Sequence, residues 1–369
     1  MSCPGAGRLQ VEWVTGRDLS PLEGVWRELL HRDPDATIFQ SWEWVEAWWQ
    51  HFGRGRRLVA LVAYEEGAPL ALAPFAVRRV GGCFRQVECL GAGVSDYLGF
   101  IGPQSALPAC IERFAAILAD ARGWDLIYLP LLHPAQAESV ARAQPVRGLS
   151  FRISPHEVCP VLALPATWEE LLPRLGKKLR ANLGYYERLL RRDGTLSLET
   201  ASLSDLDTAM EEFFALHARR WRRRWQPGAL FSGRRRAFHR AVARALCHTG
   251  NLALHRLRWN GATVAVLYCF HYQRRAYYYL GGFDPAMARY SPGTLLTGYA
   301  IQAAIRAGCV EFDFLRGREA YKYRWPVEER QIACVEIARE GSFRSRLALR
   351  RAEWLRRMET HGKRLLHGR

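Results

Sequence analysis

The sequence lacks long apolar runs. No stretch of about 18 or more uncharged apolar residues occurs, and a membrane-spanning helix needs one of that length. The N-terminal residues MSCPGAGRLQVEW also lack the basic region and following apolar stretch of a secretory signal peptide. These absences predict a cytoplasmic protein. A peripheral position on the inner face of the membrane stays open, because the C-terminal segment is basic and amphipathic.

Metal-binding spacings are also absent. The chain has 9 cysteines, but it contains no CxxC pair and no Cys/His spacing typical of zinc. The number is odd, and most of the cysteines lie inside apolar runs such as VLYCFHY. We therefore expect reduced, buried thiols and no bound metal.

Lysine is scarce, and the basic residues are concentrated after the first 150 positions. Residues 1–150 carry 14 basic and 16 acidic side chains, a net charge of −2. The rest of the chain holds 39 of the 53 basic residues and 20 of the 36 acidic ones, a net charge of +19. Such a field favours an anionic partner: a nucleic acid, a phosphorylated cofactor or an anionic surface. Only four of the basic residues are lysines: Lys177, Lys178, Lys322 and Lys363.

The chain is long enough for two domains, and its pattern repeats. A length of 369 residues is about twice that of a usual single domain. Each half shows a helical segment, two hairpin-linked strands, a third strand, a helix and a strand. We predict an α/β protein with two similar modules, residues 1–155 and 156–340, each a mixed, mostly antiparallel sheet flanked by helices. A basic amphipathic helix is predicted for residues 341–369.

A candidate phosphate site lies in GGFDPAMARYSPGTLL. There an apolar strand gives way to a loop with proline and glycine that enters a long helix. Unpaired amides at such a helix N-terminus suit a phosphate or pyrophosphate, and a neighbouring arginine could neutralise its charge. Ordinary helix capping is the alternative, and the GxxxxGK[ST] loop of nucleotide hydrolases is absent. The candidate cofactor-binding residues are Arg289, Ser291, Gly293 and Thr294.

A second candidate site lies in VEFDFLRGREAYKYRW. An acid inside an apolar strand must be paired, and the nearest cations in sequence to Asp313 are Arg316 and Lys322. One interpretation is that Asp313 orients Lys322, whose compact ammonium faces an oxygen that becomes negative during acyl transfer. A purely structural ion pair is the other. Arg316 and Tyr321, on the same segment, are candidates for binding substrate and for catalysis.

The first half contributes three further candidates. Trp42 belongs to an aromatic helix face that either contacts substrate or fills the core. Asp96 and Tyr97 lie in GVSDYLGF, where Asp96 either caps a turn or holds an acceptor amine and accepts its proton. His156 and His271 are weaker candidates, because a histidine in an apolar strand is usually a packed residue.

These segments resemble the GNAT superfamily of acyltransferases, in its two-module branch of CelD-like proteins and Fem-type peptidoglycan aminoacyltransferases. The strand, the Pro-Gly helix entry of YLGGFDPAMARYSPGTLL and the strand of VEFDFLRGREAYKYRW resemble the CelD-like signature. FQSWEWVEAWW and GAGVSDYLGFI resemble that group's aromatic helix and Ser-Asp-Tyr turn. The resemblance covers roughly residues 36 to 335.

The resemblance implies an acyl-CoA co-substrate, acetyl-CoA or longer, and direct attack without a covalent intermediate. Its pyrophosphate would lie on Arg289–Thr294, which keeps the arginine and one glycine of the pattern Q/RxxGxG/A. The thioester would lie where two parallel strands splay apart. By this resemblance, Lys322 contacts the donor or stabilises the developing oxyanion. We further expect Tyr321 or Tyr323 to protonate the thiolate and Asp96 to accept the acceptor's proton.

Two rival functions stay open. The helix GKKLRANLGYYERLLRR, basic with interleaved aromatics, suits an aminoacyl-tRNA-dependent Fem-type transferase, although no coiled-coil arm is apparent. The terminal segment SFRSRLALRRAEWLRRMETHGKRLLHGR suits an inactive GNAT-fold protein that binds nucleic acid or an anionic membrane. The acceptor is equally open among small molecules, glycans and lipid precursors, and an acyl carrier protein could replace CoA. We do not expect DNA as a partner.

Overall fold

The computed structural model describes residues 9–143, 146–222 and 230–367. The chain divides into two compact units. Unit 1 contains Met1–His156 and Gln331–Arg369, and unit 2 contains Glu157–Arg330. The C-terminal helix is therefore part of unit 1.

The described residues form twelve strands and ten α-helices. The strands are β1 (Gln10–Gly16), β2 (Arg56–Glu65), β3 (Ala68–Val80), β4 (Phe84–Cys89), β5 (Leu126–Leu132), β6 (Leu149–Ala163), β7 (Leu196–Thr200), β8 (Leu252–Trp259), β9 (Ala262–Tyr272), β10 (Arg275–Phe283), β11 (Glu311–Asp313) and β12 (Glu328–Arg339). The helices are α1 (Glu23–Arg32), α2 (Trp42–Phe52), α3 (Leu107–Asp120), α4 (Pro134–Arg142), α5 (Trp168–Leu171), α6 (Lys177–Asp193), α7 (Leu206–Arg222), α8 (Gly233–His248), α9 (Pro292–Arg306) and α10 (Phe343–His367).

Each unit has a mixed sheet in which antiparallel pairs predominate. In unit 1 the order runs β1-β2-β3-β4-β5-β12, and only the β4–β5 pair is parallel. In unit 2 the order runs β11-β10-β9-β8-β7, with the end of β6 beside β11, and only the β10–β11 pair is parallel. Parallel neighbours need a crossover, which α3 and α9 supply.

The order of elements repeats from one unit to the other. In unit 1 it is β1-α1-α2-β2-β3-β4-α3-β5, and in unit 2 it is β7-α7-α8-β8-β9-β10-α9-β11. The prediction of tandem modules, each a mixed sheet flanked by helices, is confirmed.

The hairpin turns were readable from local sequence. The β8–β9 connection is Asn260-Gly261, with φ of 50° and 78°. A two-residue turn of this kind needs positive φ at both positions, which glycine adopts freely and asparagine tolerates. The β9–β10 turn reaches the same geometry with Gln273 and Arg274, at φ 45° and 59°.

The cores of both units are rich in aromatic side chains. Trp26, Trp44 and Trp48 of α1 and α2 are fully buried in unit 1. In unit 2, α9 packs Leu296, Ala300 and Ile301 into the same apolar cluster as strand residues of β8, β9 and β11. Of the eight cysteines in the described part of the chain, six are buried, Cys247 is half-buried and Cys83 is exposed.

Within the described ranges, no helix combines the length and the apolar character that crossing a bilayer requires.

Candidate active site

The parallel strands β10 and β11 of unit 2 separate soon after they pair. They pair only over Arg275–Tyr277 and Glu311–Asp313, after which β11 ends and β10 continues to Phe283. The register of β10 against β9 shifts between Tyr278 and Leu280, which marks a β-bulge. Bulges re-aim side chains and interrupt pairing. We call this region, β10 from Tyr278 onward and the end of β11, the strand fork.

An aromatic cluster lies at the strand fork. The ring centroid of Tyr278 is 5.9 Å from those of Phe314 and Tyr321 and 6.4 Å from that of Phe312. Tyr321 is half-buried. A Cβ added at Gly281 would lie 2.8 Å from the Tyr278 hydroxyl oxygen, so the absence of a side chain there makes room for that hydroxyl.

Asp313 ends β11 and turns the chain. Its side chain is fully buried. It accepts a 2.7 Å hydrogen bond from the Leu315 amide and a 3.3 Å one from Arg330 Nη1, while Arg330 also binds Glu311 at 2.8 Å. Leu315 has φ of 58°, a left-handed conformation that a side chain normally disfavours. The bond from its amide to Asp313 helps to hold that turn.

Lys322 closes the loop that follows. Its side chain is buried, and its ammonium donates to the carbonyl oxygens of Leu315, Arg316 and Gly317 at 2.8, 2.8 and 3.3 Å. Its ion pair is with Glu319, at 2.9 Å. We call Lys322 with these acceptors the lysine clasp. The expectation that Lys322 pairs with Asp313 is therefore wrong: the left-handed turn directs backbone carbonyls at the ammonium, and the cation that contacts Asp313 is Arg330.

The entry to α9 contains the candidate phosphate residues. Arg289 is exposed, with its guanidinium carbon 4.5 Å from the ring centroid of Tyr290. Arg289 also donates to the Tyr290 hydroxyl, which in turn donates to Asp193 Oδ2 at 2.9 Å. Hydrogen bonds from Arg192 and Tyr290 lower the pKa of Asp193. The arginine is thus held in place by an aromatic ring beside the helix N-terminus.

The backbone at this entry differs from the expectation. The Ser291 amide donates to Ala288 O at 3.1 Å and the Thr294 amide to Ser291 O at 3.0 Å, so both close local turns. Ser291 has φ of 45°, and Pro292 carries no N–H. Among the described residues the Gly293 amide forms no hydrogen bond. The expected set of three unpaired amides is thus reduced to Gly293.

The candidates of the first half lie in unit 1. Trp42 is 3% exposed and packs edge to face on Trp26, with centroids 5.8 Å apart, so it belongs to the core. Asp96 and Tyr97 are buried in a turn that Ser95 anchors, because the Ser95 hydroxyl accepts from Trp44 Nε1 at 2.9 Å and donates to Gly91 O at 2.8 Å.

A small polar pocket was missed by sequence reasoning. It lies in unit 1, with an empty volume of about 300 Å³ that includes open solvent, and Tyr97 forms part of its wall. Asp35, Gln104 and His133 line it as well. No motif joins these residues in sequence; only the fold brings them to one place.

The remaining titratable candidates have defined surroundings. Burial, and the acceptor Glu329 at 2.6 Å, raise the pKa of Tyr323 to about 12. Burial lowers the pKa of His271, as expected for a packed strand residue. His156 is the last residue of the first chain segment of unit 1. Across the described ranges, no cluster of three His, Cys, Asp or Glu side chains could hold a metal ion.

Residues 177–323 match the family model described as an acetyltransferase (GNAT) domain. The matched segment contains the bulged β10, the α9 entry and the lysine clasp. Over this segment, less than half of the chain, the protein is similar to acetyltransferases of the GNAT fold. No curated protein matches the chain in sequence.

Solved structures extend the likeness to most of the chain. FemX aligns with a TM-score of 0.63 at 12% identity, over 85% of this chain and 95% of FemX. The C-terminal domain of a protein assigned as a lysylphosphatidylglycerol synthetase from Agrobacterium fabrum aligns with 0.53 at 16%, over 89% and 96%. A conserved protein of unknown function from Bacteroides thetaiotaomicron aligns with 0.52 at 11%, over 86% and 97%. At these identities the likeness is one of fold. The chain thus has a two-module fold similar to that of FemX.

Proposed function

We propose that the protein transfers an acyl group from an acyl-CoA-like thioester to an amine or hydroxyl of a small molecule, a sugar or an envelope precursor. The observation that carries this proposal is the strand fork. The parallel pairing of β10 with β11 ends at Tyr277 and Asp313, and the resemblance places a thioester donor where two parallel strands splay apart. The fork also lies inside the segment that matches the acetyltransferase model.

The chemistry is a direct transfer within a ternary complex. The acceptor nitrogen or oxygen attacks the thioester carbonyl, the carbon–sulfur bond breaks, and the thiolate leaves with the electron pair. The acceptor's proton goes to a base and the thiolate takes up a proton. Tyr321 is our candidate for protonating the thiolate, because it is half-buried in the aromatic cluster at the fork. Arg316 is our candidate for substrate contact at the fork, while Asp96 as a base and Tyr97 as a substrate contact remain predictions for unit 1.

Lys322 acts in this proposal mainly as a positioning residue. An ammonium has three donors, and carbonyl oxygens and Glu319 already occupy them. A direct contact with the developing oxyanion therefore requires the ammonium to exchange one of these acceptors. The clasp fixes the loop that carries Arg316 and Tyr321 beside the fork, and this pre-organisation is its contribution to the rate.

The donor's pyrophosphate is assigned to the α9 entry. Arg289 offers an exposed guanidinium there, and Gly293 offers an amide at the positive end of the helix dipole. Only one amide supports the arginine, so the charge of Arg289 should dominate the recognition of the phosphates.

A specific observation supports the aminoacyl-tRNA rival. Helix α6 exposes Lys177, Lys178, Arg180 and Arg188, and Tyr185 is 53% exposed on the same helix. Exposed cations with an aromatic between them suit a phosphate backbone and its bases. In that case the donor would be an aminoacyl ester on RNA rather than a thioester.

A thermal-shift comparison separates the two donors. The full-length protein is heated with CoA, with acetyl-CoA and longer acyl-CoAs, and with bulk transfer RNA at two salt concentrations. We expect acyl-CoA to raise the melting temperature, because a ligand of the folded state stabilises it by mass action. A rise with transfer RNA alone, lost steeply at high salt, would replace the thioester donor by the RNA donor.

A further inference from the structure

Helix α10 has a face that packs against unit 1. Ser345, Ala348 and Ala352 are buried along it, spaced three and four residues apart. Arg356 continues the same face and donates to Glu336 Oε2 at 2.9 Å. Arg344 fastens the beginning of the helix to Asp125 at 3.1 Å. These contacts decide which side of α10 points to solvent.

The opposite face carries large apolar side chains in water. Phe343, Leu347, Trp354 and Met358 are 66%, 36%, 59% and 54% exposed. Their spacings of four, seven and four residues place them on one line of a helix with about 3.6 residues per turn. We call these four residues the exposed stripe. Several large apolar side chains exposed along one side of a helix mark an interaction site more often than isolated exposed residues do.

Arginines flank the exposed stripe without internal partners. Arg346 and Arg350 are exposed, and within the described part of the chain neither forms an ion pair. The described part of the solvent face therefore combines an aromatic and aliphatic line with the positive charges of Arg346 and Arg350.

We infer that α10 docks this face on an anionic lipid surface. An apolar line with tryptophan fits the boundary between headgroups and acyl chains, and the flanking arginines fit anionic headgroups. A second copy of the chain fits less well, because a symmetric contact between two stripes would bring arginines against arginines. Nucleic acid would use the arginines but would leave the aliphatic side chains in water. The inference does not depend on the donor or acceptor of the transferase.

Vesicle sedimentation with the full-length protein tests this inference. The probes are vesicles of phosphatidylcholine alone and of phosphatidylcholine with an equal share of phosphatidylglycerol. We expect the protein to pellet with the second kind only. The double variant Trp354→Ser with Met358→Ser should bind at least about tenfold more weakly, since each change removes apolar area from the docked face. Its matched control is Leu203→Ser with Val310→Ser, two exposed apolar residues outside α10.

Charge is tested in the same way. Arg346→Glu with Arg350→Glu should abolish pelleting with the anionic vesicles. Arg113→Glu with Arg147→Glu has the same net charge, changes two exposed arginines outside α10, and should bind like the unmodified protein. Thermal unfolding of each variant checks that the fold is retained.

Three results would overturn the inference. The unmodified protein could stay in the supernatant with anionic vesicles. The α10 variants and their controls could lose binding equally, which would indicate a general charge effect. The stripe variants could leave vesicle binding intact while abolishing a dimer in sedimentation velocity or the binding of transfer RNA, which would assign the face to a second copy or to RNA.

Discussion

The two units share one order of elements but differ after the fourth strand of their repeat. In each unit a strand leads to a helix and then to a parallel strand: β4, α3 and β5 in unit 1, and β10, α9 and β11 in unit 2. The parallel pairing is short in both units, Gln86–Val87 with Leu126–Ile127 and Arg275–Tyr277 with Glu311–Asp313. The topology that could hold a donor is thus present twice.

The surroundings of the two parallel pairs are different. In unit 1 a side chain already binds the backbone of the segment after β4. The Gln136 amide group accepts a hydrogen bond from Phe100 N at 3.1 Å and donates one to Phe100 O at 2.8 Å. A Cβ at Gly99 would lie 1.9 Å from Gln136 Oε1, so no side chain fits at position 99. In unit 2, β10 continues through its bulge to the α9 entry with the exposed Arg289. A repeated topology therefore does not repeat the chemistry, and the family model matches unit 2.

The largest effect is expected from the lysine clasp, which belongs to unit 2. Lys322→Met leaves buried carbonyl oxygens and Glu319 without their cation, so we expect a loss of about 3 to 5 kcal/mol in the free energy of unfolding. Turnover should fall by roughly a hundredfold or more, because the loop with Tyr321 loses its geometry. Urea unfolding and steady-state kinetics measure the two effects.

Two further variants sharpen this prediction. Lys178→Met, at an exposed lysine, should change neither quantity. Lys322→Met with Glu319→Gln removes both charges of the pair. If stability and turnover both return, the lysine only balanced Glu319; if stability returns while turnover stays low, the ammonium also serves the reaction.

The next effect concerns the donor site at the α9 entry. Arg289→Ala should weaken CoA binding by about 1.5 to 3 kcal/mol, the value of a charge-assisted contact. Calorimetric titration with CoA measures it. Arg306→Ala removes an exposed arginine at the other end of the same helix and should leave the affinity unchanged. If the Arg289 variant binds CoA as tightly as the unmodified protein, the α9 entry is not part of the donor site. The proposed functional difference between the two units would then be contradicted.

A pair of glycine variants compares the two units directly. Gly281→Ala places a methyl group at the Tyr278 hydroxyl of the strand fork, and Gly99→Ala places one at Gln136 in unit 1. Each should cost about 1 to 3 kcal/mol of stability through overpacking. Only Gly281→Ala should also weaken CoA binding. If the two folded variants bind CoA equally well, the proposal that only unit 2 binds the donor is wrong.

The smallest effect is a pH dependence that belongs to unit 2. Burial lowers the pKa of His239 to about 3 and that of His255 to about 4, so both are neutral in the folded state at pH 5.5. The unfolded chain binds protons near the usual histidine pKa of about 6.5, and stability therefore falls as the pH drops below that value. Between pH 7 and 5.5 one such histidine accounts for about 1 kcal/mol.

Urea midpoints measured at several pH values for the unmodified protein and for His239→Phe check this dependence. The variant should lose less stability than the unmodified protein on acidification. An unchanged pH slope would mean that His239 becomes protonated within the folded state.

Several features followed from local sequence alone. The hairpin between β8 and β9, the helix entry at Pro292 and the repeated order of helices and strands were all predicted, because turn chemistry and hydrophobic periodicity act over a few neighbouring residues. The resemblance of four segments to the GNAT superfamily supported the predicted fold class, which the structure and the family model confirm.

The partners of the buried charges were decided by the tertiary structure. Arg330 reaches Asp313 from β12, 17 residues further along the chain. Lys322 is held by carbonyl oxygens that converge only because Leu315 adopts a left-handed turn, a conformation that its side chain gives no reason to expect. The register shift that bulges β10 depends in the same way on its pairing with β9. Periodicity is a property of neighbours in sequence, whereas the partner of a buried charge depends on which distant backbone the packing brings to it.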